Sequence, residues 1–115
     1  MYDFCYNEVA DESPQVMRQR ERYAFDQVIT LLKCAREKGV KSREAIEALY
    51  WLRKLWSILL EDLQSPGNEL PVNIRAGIVS IGLWMMKEMD EFSGGKKTDL
   101  TPMIEINEII RDGLM

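Results

Sequence analysis

At 115 residues, 46% of them hydrophobic, the chain has the length of one domain and enough apolar material for a real core. Its net charge of −4, with Lys and Arg scattered among Asp and Glu, argues against a broad phosphate-binding face and so against nucleic acid as a direct partner. Two cysteines and no histidine cannot assemble a tetrahedral zinc site, and the commonest general base is missing.

The N-terminal stretch MYDFCYNEVADESP carries acids where a secretory signal has a basic head and an apolar run, so the chain is expected to stay in the cytoplasm. There Cys5 and Cys34 stay reduced, and no disulfide is expected. The most apolar segment, AGIVSIGLWMMK at residues 76–87, offers roughly half of the ~20 residues a bilayer core demands. No membrane span follows from it.

Ser13 and Pro14, a capping hydroxyl and a residue suited to the first helical position, open a helix over about 14–38 that Gly39 ends. Met17, Ala24, Val28, Leu31 and Ala35, flanked by Phe25 and Leu32, form its inner stripe, while Tyr23 and Cys34 fall on another side. Nothing beside Cys34 in sequence stabilises a thiolate, so it reads as a small packed or half-exposed residue.

Ser42 caps a second helix over about 42–63, REAIEALYWLRKLWSILLEDL, which Ser65, Pro66 and Gly67 stop. Ala45, Leu49, Leu52, Trp56, Leu59 and Leu63 share one arc that also takes in Ala48, Leu55 and Leu60. Trp51 and Ile58 refuse to join it. They stand together among Glu47, Lys54 and Asp62, either covered by a neighbouring helix or the N-terminal arm, or exposed as a docking spot.

Pro71 begins a third helix over about 71–92 with two apolar stripes. One is Ile74, Ile78, Ile81, Met85, Met89 and Phe92; the other, nearly opposite, is Ala76, Val79, Leu83 and Met86. A helix apolar on two faces is interior or shared, so this one should lie between neighbours of its own chain and a partner. Gly77 and Gly82 each cost about 1 kcal/mol of helix stability, which close helix approach would offset. Trp84 lies between the stripes as a shoulder of the core.

After SGGKKTD, read as a flexible polar connection, Thr101 and Pro102 start a fourth helix over about 101–112 with the stripe Met103, Ile106, Ile110 and Leu114. The expected architecture is therefore all-α: one domain over 1–115, a compact antiparallel bundle of four helices with residues 1–12 as an arm.

The carboxylates are interspersed with Lys and Arg as on a solvated face, and SGG lacks the spacing of a phosphate loop. No catalytic residue, cofactor or metal ligand is assigned, and the chain is not expected to be an enzyme.

The residues now on the page resemble the FlaF family of bacterial flagellar biosynthesis regulators. The likeness is carried by Tyr2 and Tyr6, by SREAIEALYWLRKLWSILLEDL, by NELPVNIRAGIVSIGLWMMKEM and by IEINEIIRDGL, in that order and over nearly the whole chain. The resemblance implies a small cytoplasmic protein that acts by binding: a secretion chaperone for flagellin, thereby affecting flagellin synthesis and filament assembly, and a counterpart of FlbT, which restrains flagellin translation.

A flagellin chaperone must cover apolar helix stripes reversibly, which calls for an apolar groove. Tyr2, Tyr6, Trp51, Ile58, Leu83 and Met86 are the candidates to line it, with Met tolerating related sequences. Two other readings stay open. One is a post-transcriptional regulator that binds flagellin mRNA through RQRERY with Lys33 and Arg36, or acts on it through FlbT. The other is a homodimer whose second copy covers the spare apolar faces.

Overall fold

The computed structural model of the protein describes residues 14–113, with side chains from Gln19 onward. The arm with Tyr2, Cys5 and Tyr6, the cap Ser13, the side chain of Met17, and Leu114 lie outside the described residues. Four helices follow in order: α1 (Pro14–Lys38), α2 (Arg43–Leu63), α3 (Val72–Ser93) and α4 (Thr101–Asp112). Among the described residues there is no strand, and no helix is long and apolar enough to cross a membrane.

The helix ends sit where local chemistry puts them. Gly39 adopts φ 105°, a left-handed conformation natural to glycine, and its N–H donates to the Ala35 carbonyl at 2.9 Å. The Ser42 hydroxyl accepts the Ala45 N–H at 3.1 Å and caps α2. Pro71, extended at φ −55° and ψ 147°, is the cap of α3 rather than its first residue, so that helix begins at Val72.

α1 packs along α2, α4 along α1 and α3 along α2. The stripes read from α1 and α2 face the core: Phe25, Val28 and Leu32 meet Leu52 and Trp56, with the Phe25 and Trp56 rings edge to face at 6.0 Å. α4 departs from its expected stripe. Met103 is buried, but the other buried positions are Ile104 and Asn107, while Ile106 and Ile110 are only partly covered. The reason is the indole of Trp56. Its buried N–H needs an acceptor, and the Asn107 side-chain carbonyl provides one at 2.9 Å. The Asn107 amide then donates to the Met103 carbonyl at 2.6 Å and to the Met85 sulfur at 3.6 Å, which joins α2, α3 and α4 at one point.

The two helical glycines differ. A Cβ on Gly82 would meet Leu60 and Trp56, so α3 does approach α2 closely there, whereas a Cβ on Gly77 would meet nothing within 4 Å. The expected close approach at Gly77 is absent among the described residues, where Val72, Asn73, Ile74, Ala76 and Gly77 are all exposed.

The connection SGGKKTD is fastened at both ends instead of loose. The Lys97 ammonium bridges the buried Glu88 carboxylate at 2.5 Å and Glu91 at 3.3 Å, and the Asp99 carboxylate accepts the Thr101 N–H at 3.0 Å. The bonds to Glu88 and then Glu91 hold the Lys97 pKa above its ordinary 10.5. A cation whose pKa is raised by folding contributes its full stability below the unfolded value and loses it as pH climbs through the folded one. Lys97→Met is therefore expected to lower the urea midpoint by a constant amount from neutral pH to about pH 10.5, with the gap from wild type closing above that value.

Candidate protein-binding surface

Trp51 lies half-buried against the core, edge to face with the exposed Tyr50 at 5.1 Å, and the Lys54 ammonium stands 5.7 Å from the Trp51 ring centre. Ile58, 38% exposed, opens onto a shallow cavity of about 340 Å³ that it shares with Glu61, Asp62 and Ser65. Trp51 and Ile58 therefore occupy one flank of α2, with acids at its C-terminal end.

α3 builds a different surface. Val72, Ala76, Val79, Leu83 and Met86 recur at alternating steps of four and three, which at about 100° per residue keeps them within an arc of about 80°. Val72 is 72% exposed and Leu83 63%, Ala76 is exposed, and Val79 and Met86 are half-buried. The other stripe turns to the core through Met85, Met89 and Phe92, yet its first member, Ile74, is 46% exposed. Among the described residues the core-facing stripe is buried in the C-terminal half, but the opposite stripe stays open there at Leu83, and Val72, Ile74 and Ala76 of the N-terminal half are exposed; the expected cover on two sides is not complete in either half.

Met86 accepts a 3.7 Å contact from the Arg53 guanidinium, which also bridges Asp90 at 2.7 Å, so this α2 flank closes the C-terminal end of the α3 seam. Arg53 and Leu60 mark the flank of α2 that meets α3. Trp51 and Ile58 stand two positions before each, about 160° away around the helix. The described residues thus bring Leu83 and Met86 together, and Trp51 and Ile58 together, but not all four into the one groove expected. Tyr2 and Tyr6 lie outside the described residues. Val72 extends the stripe one turn before the Ala76 at which the sequence expectation begins, and the same four-three spacing includes it.

Three bases of α1 are engaged in packing. Arg22 donates to the Arg111 carbonyl at 3.0 Å, Lys33 bridges Glu108 at 3.0 Å, and Arg36 donates to Thr101 at 3.2 Å. Each reaches α4 or its end. Arg111 in turn bridges Asp26 at 3.1 Å, returning the link to α1.

No curated protein and no solved structure matches the chain. A family model described as Flagellar protein FlaF matches residues 2–114. That span takes in all four helices, including SIGLW, whose Gly82 lets α3 approach α2, and IEINEII, whose Asn107 receives the Trp56 indole. The chain belongs to the FlaF family of flagellar proteins.

Proposed function

We propose that this flagellar protein acts by binding rather than catalysis, as a cytoplasmic secretion chaperone for flagellin that thereby affects flagellin synthesis and filament assembly, with FlbT as a further partner. The family membership supplies the flagellar setting. The observation that carries the rest is the exposure, among the described residues, of Val72, Ile74, Ala76 and Leu83 on α3, in a chain where Phe25, Trp56 and Met85 already fill a core. Exposed apolar stripes on a helix suit reversible cover of another protein's helices.

Direct binding to flagellin mRNA finds less support, because three of its five candidate bases, Arg22, Lys33 and Arg36, are spent on α4, while the side chain of Arg18 lies outside the described residues. The test is co-expression of the tagged protein with flagellin. A stable complex is expected on purification, together with no salt-dependent gel shift of flagellin leader RNA. A shift without a flagellin complex would reverse the reading in favour of the message.

A further inference from the structure

We infer that the α3 seam of Val72, Ala76, Val79, Leu83 and Met86 is the seat of a partner's amphipathic helix whose apolar stripe is flanked by carboxylates. The inference rests on the reading of this protein as one that covers helices, and it names the face and the chemistry of what is covered.

The alternating four and three spacing is that of a helix seam, and from Val72 to Met86 it runs about 21 Å, long enough for four turns of a second helix. Its side chains are apolar, exposed among the described residues at Val72, Ala76 and Leu83 and half-buried at Val79, and the small Ala76 lets a second backbone come close. The charges choose the partner. From Val72 to Lys87 α3 carries only Arg75 and Lys87, both basic, within a chain of net charge −4. At 100° per residue they stand about 60° to either side of the seam and about 18 Å apart along it. Among the described residues Lys87 makes no ion pair and the buried Arg75 Nε–H has no hydrogen-bond partner. Lys33, Arg53, Lys97 and Arg111, by contrast, all hold carboxylates.

A second copy does not fit. Seam laid on seam sets basic flank against basic flank, and the first acid of α3 is Glu88, buried and held by Lys97. A helix with Glu or Asp beside its stripe answers both unpaired bases.

The experiment titrates two synthetic helices into the full-length protein. They share one apolar stripe of four and three spacing and differ only in flanking Glu or flanking Lys. The Glu helix is expected to bind about tenfold tighter, and the preference should invert in the double variant R75E/K87E. Leu83→Glu should weaken both helices at least about tenfold, while Ile58→Glu, on the far flank of α2, leaves them unchanged. Leu83 is exposed, so the fold is expected to survive; if the melting curve of Leu83→Glu falls, Leu83→Ser replaces it. The same variants co-expressed with flagellin should lose it at Leu83→Glu and keep it at Ile58→Glu. Equal binding of the two helices, a preference untouched by R75E/K87E, or loss at Ile58 instead of Leu83 overturns the inference. So does a wild-type dimer in light scattering that Leu83→Glu makes monomeric. A wild type that takes the Glu helix but no flagellin keeps the seam and removes flagellin as its occupant.

Discussion

Replacing Asn107 with alanine is expected to lower the stability of the protein by about 3 kcal/mol, and its melting temperature by about 15 °C. The side chain is fully buried, and it accepts the indole N–H of Trp56 at 2.9 Å while its own amide reaches the Met103 carbonyl at 2.6 Å. Alanine removes the acceptor and leaves that N–H in an apolar interior, where an unpaired donor costs about 1–3 kcal/mol. The empty volume adds a cavity term of similar size. Trp56→Phe removes the other partner, so the cycle of single and double variants isolates the bond: a coupling of about 1 kcal/mol is expected in urea denaturation. Additive effects would mean that the bond itself contributes nothing and that packing alone is lost. Because Met85 also touches Asn107, the variant should loosen α3 and α4 together, which hydrogen exchange would report as a joint loss of protection.

Gly82→Leu should destabilise by about 3 kcal/mol, and Gly77→Ala should stabilise by about 0.5–1 kcal/mol. A Cβ at Gly82 falls 2.6 Å from the end of the Leu60 side chain and 3.1 Å from the Trp56 ring. Leu60 can yield, but Trp56 is fully buried against Phe25, so a branched chain at this position pushes α3 off α2. At Gly77 nothing stands within 4 Å, and alanine simply restores the helix propensity that glycine lacks. Equal thermal shifts for the two variants would show that the approach of α3 to α2 does not depend on Gly82. Since that approach also orients the α3 seam, Gly82→Leu should weaken binding of the proposed Glu-flanked helix even at temperatures where the fold persists.

Most of the helical architecture can be read without coordinates, because each boundary depends on neighbours in sequence. Gly39, the Ser42 hydroxyl and Pro71 act within one turn, and the expected helix bounds lie within one residue of those observed. The stripes of α1 and α2 are legible for a related reason: when most of a helix face is buried, periodicity reports it directly, as Val28, Leu32, Leu52 and Trp56 do. The polar interior was not legible. Asn107 and Glu88 look like ordinary surface residues in a string of letters, and their burial follows from an indole N–H and a lysine ammonium that approach from distant positions.

The candidate surface divides along the same line. Sequence alone determined that α3 has two apolar faces and that Trp51, Ile58, Leu83 and Met86 stand apart from the single core stripes, since side-chain direction within one helix follows from its period. Only the tertiary structure decided which of these faces is left open. That depends on where α2 ends beside α3 and on which flank of α2 carries Arg53, relations between helices that no local pattern encodes. The packing places Leu83 and Met86 on one side and Trp51 and Ile58 on the other, because a helix buries the face its neighbours reach and leaves uncovered what lies beyond them.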